Sequence, residues 1–213
     1  MKLRLTGLLS IYCLLVSIGL ACSTASSVTQ YTPPTTISSP TPPTATQTKP
    51  DDPIRSIDFA NFTYPWVKDL GDPRNRFTLS NGELPPRRNQ QGIIQNMGVS
   101  LERVEYGDVT GDGQDEAVII LTFTTGGSAT PHAVYVYARH DDETKLLWSG
   151  AMGDRADGGL QKVYAQDGQL VVERFSPVEN KGDCCPTHFT RTRYEWVRRG
   201  FRQKGKQETL SIP

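Results

Sequence analysis

An acidic loop that runs directly into an apolar, β-branched segment is the feature that most constrains this sequence. In residues 108–116, oxygen-bearing side chains alternate along the chain, and Gly113 follows the third of them. Alternating oxygen ligands with a glycine at the sharp turn are what a hard cation such as calcium requires. The predicted calcium ligands are Asp108, Thr110, Asp112, Gln114 through its backbone carbonyl, and Glu116.

The residues after this loop predict a strand. A helical calcium loop would have a bidentate Glu at its twelfth position, and that position is Ile119. Residues 117–123 are apolar on both faces and rich in β-branched side chains, which favours a strand in the centre of a sheet. The alternative to a metal site is a hydrogen-bonded turn, in which the Asp side chains cap their own backbone.

Strand signals recur at short spacing through most of the remaining sequence, and an Asn81-Gly82 pair and an Asp167-Gly168 pair mark hairpin turns. Residues 84–96 are predicted to be loop. These patterns favour an all-β fold, an antiparallel meander that is curled or closed, with a short helix near residues 66–70 as an option. The predicted strands are residues 57–64, 76–79, 99–106, 117–123, 133–138, 145–148, 160–165, 169–175 and 191–196.

The acidic loop resembles the calcium loop of FG-GAP repeats, the integrin-alpha type, in which such a loop also runs into a strand. Thr110 stands where that family usually has Asn, and Glu116 where it usually has Asp. The resemblance covers about a dozen residues and implies a calcium-binding loop. The sequence contains no second copy, so a propeller of several such repeats is not expected.

The first 53 residues predict export and a tether. Lys2 and Arg4 precede an apolar run, and residues 1–21 therefore fit a signal peptide. Cys22 follows small residues and resembles the lipidated cysteine of bacterial lipoproteins, with Ser23 resembling signals for the outer membrane. Residues 22–53 are rich in Ser, Thr and Pro, which predicts a disordered tether before a single β-rich domain at 54–213. Ordinary cleavage and secretion is the alternative.

Cys184 and Cys185 are adjacent and have no other thiol partner once the signal peptide and a lipidated Cys22 are set aside. Neighbouring Cα atoms lie about 3.8 Å apart, closer than an ordinary disulfide prefers, so a vicinal disulfide would be strained and more easily reduced. An oxidising compartment favours this disulfide as a rigid turn. A redox pair and a soft-metal site that includes His188 are the alternatives.

A second polar run, residues 153–159, could present Asp154, Arg155 and Asp157 to a ligand, although an internally paired turn is the plainer interpretation. Only His132, His140 and His188 could serve as catalytic bases, and none lies beside a nucleophile motif. Formal net charge is zero, which does not favour nucleic-acid binding. Basic residues near the C-terminus could meet an anionic envelope polymer or lipid headgroups, or simply form a solvated face.

More widely, the sequence resembles uncharacterised bacterial lipoproteins, which share a Thr-Gly-Asp-Gly loop, a Gly-Asp-Arg-Ala-Asp-Gly-Gly run and a late Cys-Cys-Pro, here at 110–113, 153–159 and 184–186. That resemblance brings no known activity. We expect a lipid-anchored, periplasm-facing or outer-membrane protein that acts as a non-catalytic binding or structural module, with an unidentified envelope partner. A thiol/disulfide protein using Cys184 and Cys185, and an envelope-modifying hydrolase, are the alternatives.

Overall fold

A computed structural model describes residues 52–155, 158–176 and 186–212, and these residues form an all-β structure, as the sequence predicts. They belong to the second of two compact units, Ala45–Pro213. All strand pairs are antiparallel. In chain order the strands are β1 Thr63–Pro65, β2 Arg76–Thr78, β3 Glu83–Leu84, β4 Arg87–Arg88, β5 Ile94–Asn96, β6 Gly98–Gly107, β7 Glu116–Thr124, β8 His132–His140, β9 Glu143–Gly153, β10 Leu160–Gln166, β11 Gln169–Phe175, β12 His188–Val197 and β13 Gly200–Ser211.

Two open sheets make up most of the fold. One has five strands in the order β3-β6-β7-β8-β9, and the other has four strands in the order β10-β11-β12-β13. Two small hairpins, β1-β2 and β4-β5, accompany them. Neither large sheet closes on itself, so the closed form of the predicted meander is wrong. The meander continues instead from one open sheet into a second.

Strand β7 lies in the centre of the five-stranded sheet and is buried on both faces, as predicted. Its odd-numbered side chains, from Ala117 to Phe123, contribute to one apolar cluster. Val118 and Ile120 contribute to a second cluster on the opposite face. Because side chains alternate along a strand, one short segment supplies both cores.

The first core lies between the five-stranded sheet and the N-terminal part of the domain. Tyr64 is completely buried there, and its hydroxyl donates a hydrogen bond to the carbonyl oxygen of Phe59 at 2.7 Å. Aromatic rings surround Tyr64, including that of Tyr135, whose centroid is 5.2 Å away. The hydroxyl of Tyr135 donates to the carbonyl oxygen of Pro65 at 2.8 Å, so this packing buries large aromatic area while both of these hydroxyls keep an acceptor.

The predicted first strand, residues 57–64, is wrong for most of its length. The chain forms two short 3₁₀-helices, Pro53–Ser56 and Phe59–Asn61, before β1. The Asp58 side chain accepts hydrogen bonds from the backbone N–H groups of Ala60 and Asn61 at 3.0 and 3.2 Å, and this cap offers the backbone an alternative to a strand ladder.

The predicted short helix near residues 66–70 is absent, since that segment forms a hydrogen-bonded turn. The predicted loop at residues 84–96 contains the small β4-β5 hairpin. Arg88 closes this hairpin by donating to the carbonyl oxygen of Gly92 at 2.9 Å. Both hairpin turns that the sequence marks are confirmed, because Asn81, Gly82, Asp167 and Gly168 all have positive φ angles.

The second core lies between the two large sheets. They approach closely on one side, where Gly107 of β6 meets Ala165 of β10. A Cβ atom added to Gly107 would lie 2.6 Å from the Cβ atom of Ala165, so only glycine fits at this position.

We expect Gly107→Ala to destabilise the domain by about 1–3 kcal/mol, because the extra methyl group overpacks the contact between the sheets. Ala165→Gly alone should cost about 0.5–1 kcal/mol as a glycine within a strand. The double variant should be more stable than Gly107→Ala, because the second change makes room for the first. Urea unfolding of the native protein, the two single variants and the double variant measures these differences in the free energy of unfolding.

Gly127→Ala is the matched control, because a Cβ atom there has no neighbour within 4 Å. Its stability should stay within about 0.5 kcal/mol of the native value. Additive effects of Gly107→Ala and Ala165→Gly would show that the sheets are not in contact at this point.

Candidate functional site

The acidic loop connects β6 to β7, and the pair Gly107 and Glu116 closes it at the base. Gly111 and Gly113 have φ angles of 81° and 85°, a region that favours glycine, so the chain can reverse within eight residues. Val109 is completely buried in the core between the two sheets. The loop is therefore anchored by an apolar side chain placed between its polar ones.

Asp108 organises the first half of the loop. One carboxylate oxygen accepts the backbone N–H groups of Thr110 and Gly111, and the other accepts that of Gly113 at 3.0 Å. In the second half, Asp112 accepts the backbone N–H of Gln114 at 2.8 Å. These are the capping interactions of the hydrogen-bonded turn that the sequence leaves open as an alternative to a metal site.

Glu116 is the buried member of the loop, with a relative exposure of 1%. One of its oxygens accepts the backbone N–H groups of Val109 at 2.9 Å and Thr110 at 3.2 Å, and the other accepts the Thr110 hydroxyl at 3.3 Å. Burial, together with the negative charges of Asp112 and Asp108, raises the pKa of Glu116 to about 7, against the lowering effect of the Val109 hydrogen bond.

The donor set suits a hard cation in its chemistry, since it combines carboxylate, hydroxyl and carbonyl oxygens. Among the residues that the structure describes, however, no three His, Cys, Asp or Glu side chains form a group that could hold a metal ion. The loop brings its five predicted ligands into one short turn, and two of its carboxylates, Asp108 and Glu116, are engaged mainly by the loop's own backbone. A cation at this loop would share carboxylate oxygens that already accept backbone N–H groups.

A salt bridge that the sequence did not indicate joins the loop to the start of the domain. Arg55 Nη2 lies 2.5 Å from Asp115 Oδ2, and both side chains are largely buried, at 21% and 15% exposure. The Arg55 guanidinium also lies 4.5 Å from the centroid of the Tyr106 ring. In addition, Asp52 accepts the backbone N–H of Asp115 at 2.9 Å. About sixty residues separate the partners, so no local pattern reveals them.

The β10-β11 hairpin meets the acidic loop from the other side. A Cβ atom on Gly168 would lie 3.0 Å from the Cα atom of Gly111. The acidic loop therefore contacts the first residues of the domain and the tip of the four-stranded sheet, and it is a junction between three parts of the fold.

The remaining predicted site residues do not gather around the loop. His132 and His140 lie at opposite ends of β8, roughly 25 Å apart at the rise of a strand, and His188 lies on β12. His132 contacts Glu102 at 3.1 Å. The Arg155 guanidinium lies 5.6 Å from the centroid of the Phe175 ring, and Asp154 directly follows β9. Asp157, Cys22, Cys184 and Cys185 lie outside the described residues.

The chain matches no protein-family model, no curated protein and no solved structure. In the part of the chain that the structure describes, no helix is both long enough and apolar enough to span a membrane.

The raised pKa of Glu116 predicts a pH-dependent stability. The folded state holds a proton that the unfolded chain releases at lower pH, so this contribution is fully present below about pH 4.5 and is lost as the pH rises through about 7. The free energy of unfolding should fall by about 1.4 kcal/mol per pH unit within that window. Urea unfolding between pH 5 and 8, with a chelator present, measures the slope.

Glu116→Gln should remove this part of the slope and should be more stable than the native protein at pH 8, because it buries no charge. Glu83→Gln removes a carboxylate from the exposed end of β3 and serves as the control for losing one negative charge. Parallel pH profiles for the native protein and Glu116→Gln would contradict the assignment to Glu116.

Proposed function

We propose that this protein is a lipid-anchored, envelope-facing protein whose β-domain acts as a non-catalytic binding or structural module, with a calcium-responsive acidic loop. The observation that carries the proposal is one side of the junction at the acidic loop, where Arg55 and Asp52 contact Asp115. Residues 22–53 have the composition of a tether, and this segment reaches the junction at Asp52. A module held by such a tether needs a firm attachment where the tether enters the fold.

Arg55 and Asp115 are suited to attach the end of the tether to the fold. An Arg–carboxylate pair that is largely shielded from water is screened less than an exposed pair, and its hydrogen bond is charge-assisted. By comparison, the Arg74–Asp72 pair has a similar distance of 2.6 Å but exposures of 88% and 37%. Exposed pairs of that kind contribute about 0–1 kcal/mol. The Arg55–Asp115 pair is therefore the stronger constraint.

Calcium would act on the same junction. Asp108, Asp112 and Glu116 carry like charges within one loop, and their mutual repulsion contributes to the raised pKa of Glu116. A bound cation would offset this repulsion, with Asp108 and Asp112 as its charged ligands, Thr110 and Gln114 as neutral ones and Glu116 in contact directly or through water. The modest ligand set predicts weak binding, on the order of 10⁻⁴–10⁻³ M, which is the range of extracellular modules.

Calcium should therefore raise the melting temperature of the domain. At ten times the dissociation constant, binding to the native state alone adds about 1.4 kcal/mol, or roughly 3–6 °C for a domain of this size. Asp112→Asn should lose most of that rise. Asp141→Asn, in the exposed β8-β9 turn, is the matched control and should keep it. Calorimetric melts with calcium and with chelator test this, and identical melts of the native protein would exclude calcium binding.

The lipid anchor is tested separately. Replacing Cys22 by Ser removes the thiol that would be acylated, so the protein should move from the membrane fraction to the soluble fraction. Cys13→Ser changes a cysteine within the predicted signal peptide and should leave the protein in the membrane fraction. Detergent partitioning measures both. Membrane retention of Cys22→Ser would show that another feature holds the protein there.

A further inference from the structure

A cavity of about 220 Å³ lies between the two large sheets, on the side opposite the contact of Gly107 with Ala165. Strand β9 of the five-stranded sheet forms one wall, and strands β11, β12 and β13 form the other. The sheets separate here because large aromatic side chains stand between their edges. Trp148 of β9 and Phe201 of β13 meet edge to face, with ring centroids 6.3 Å apart.

The walls of this inter-sheet cavity are mostly apolar. Met152, Leu170 and Val172 are buried and belong to the core between the sheets. Gly150 permits Trp148 to lie close against β9, because a Cβ atom on this glycine would be 2.7 Å from the indole ring. An apolar wall of this kind favours the burial of an alkyl or aryl group.

One charged group, Arg174 of β11, lines the same cavity. Its Nε donates to the carbonyl oxygen of Gly158 at 2.7 Å, and its Nη2 donates to that of Met152 at 3.1 Å. These neutral contacts fix the guanidinium but do not neutralise it. Within the described ranges, no ion pair includes Arg174, and its Nη1 has no hydrogen-bond partner.

The surroundings of Arg174 differ from those of Arg191. Arg191, on the neighbouring strand β12, pairs with the buried Glu173 at 2.8 Å. A half-buried cation such as Arg174 is often matched by such a carboxylate, because partial removal from water is costly. Arg174 therefore has a fixed orientation, an apolar cavity beside it and, among the residues that the structure describes, no bonded partner for Nη1, which is the arrangement that receives an anionic group from a ligand.

We propose that the inter-sheet cavity binds a small amphiphilic carboxylate, with its alkyl or aryl part among Trp148, Met152 and Leu170 and its carboxylate on Nη1 of Arg174. An apolar protein cavity of about 150 Å³ holds a benzene molecule, so this cavity has room for a somewhat larger group. This site is remote from the acidic loop and does not depend on the proposed calcium binding or lipid anchor.

Calorimetric titration of the mature chain with octanoate, 1-octanol and acetate tests the proposal. Octanoate should bind more tightly than octanol, and acetate should not bind measurably, because both the chain and the charge contribute. Arg174→Gln should weaken octanoate binding by about tenfold or more and leave octanol binding unchanged. Arg193→Gln removes a half-buried arginine that donates to Gln166 on the same sheet and does not line the cavity, and this variant should bind octanoate like the native protein.

Arg174→Gln alters the partners of two carbonyl groups and could misfold for that reason. A second variant therefore tests the cavity independently of Arg174. Val172→Phe fills the cavity without touching the guanidinium and should weaken binding of both octanoate and octanol. A cooperative thermal melt checks that each variant is folded. The proposal is overturned if the native protein binds octanoate no more tightly than octanol, or if folded Arg174→Gln or Val172→Phe keeps native octanoate affinity.

Discussion

The double burial of strand β7 is the constraint on which the rest of the structure depends. Its two faces supply two separate cores, one with the N-terminal segment and one with the four-stranded sheet. A strand without a solvated face must be covered on both sides, so the domain needs the aromatic layer around Tyr64 and the second sheet. The acidic loop is held at the start of this strand, with Val109 and Glu116 buried on the inter-sheet side. The loop's position therefore follows from the same constraint.

The junction around the acidic loop joins parts of the chain that share no local sequence signal. Asp115 pairs with Arg55 on one side of the loop, while Gly111 contacts Gly168 on the other. Glu116, between them, is buried as a carboxylate beside two like charges, and its pKa is raised to about 7 as a result. Such an arrangement is costly for stability once Glu116 loses its proton, which connects the local chemistry of the loop to the stability of the fold.

The two sides of the sandwich differ because of the size of the side chains between the sheets. On the β6-β10 side, Gly107 and Ala165 allow close contact. On the β9-β13 side, Trp148 and Phe201 keep the sheets apart and leave the inter-sheet cavity beside Arg174. The sequence contains all of these residues, but only the pairing of distant strands shows that small residues meet on one side and large ones on the other.

The sequence by itself determined the strand pattern, the central position of β7 and the Asn81-Gly82 and Asp167-Gly168 turns, because alternation and positive φ angles are properties of neighbouring residues. It did not determine the turns at residues 53–61, where the Asp52 and Asp58 caps compete with a strand, or the opening of the meander into two sheets. The Arg55–Asp115 pair, and the absence of a carboxylate partner for Arg174 among the described residues, were decided only by tertiary structure. Their partners, or the lack of them, depend on segments that meet in space after long separation along the chain.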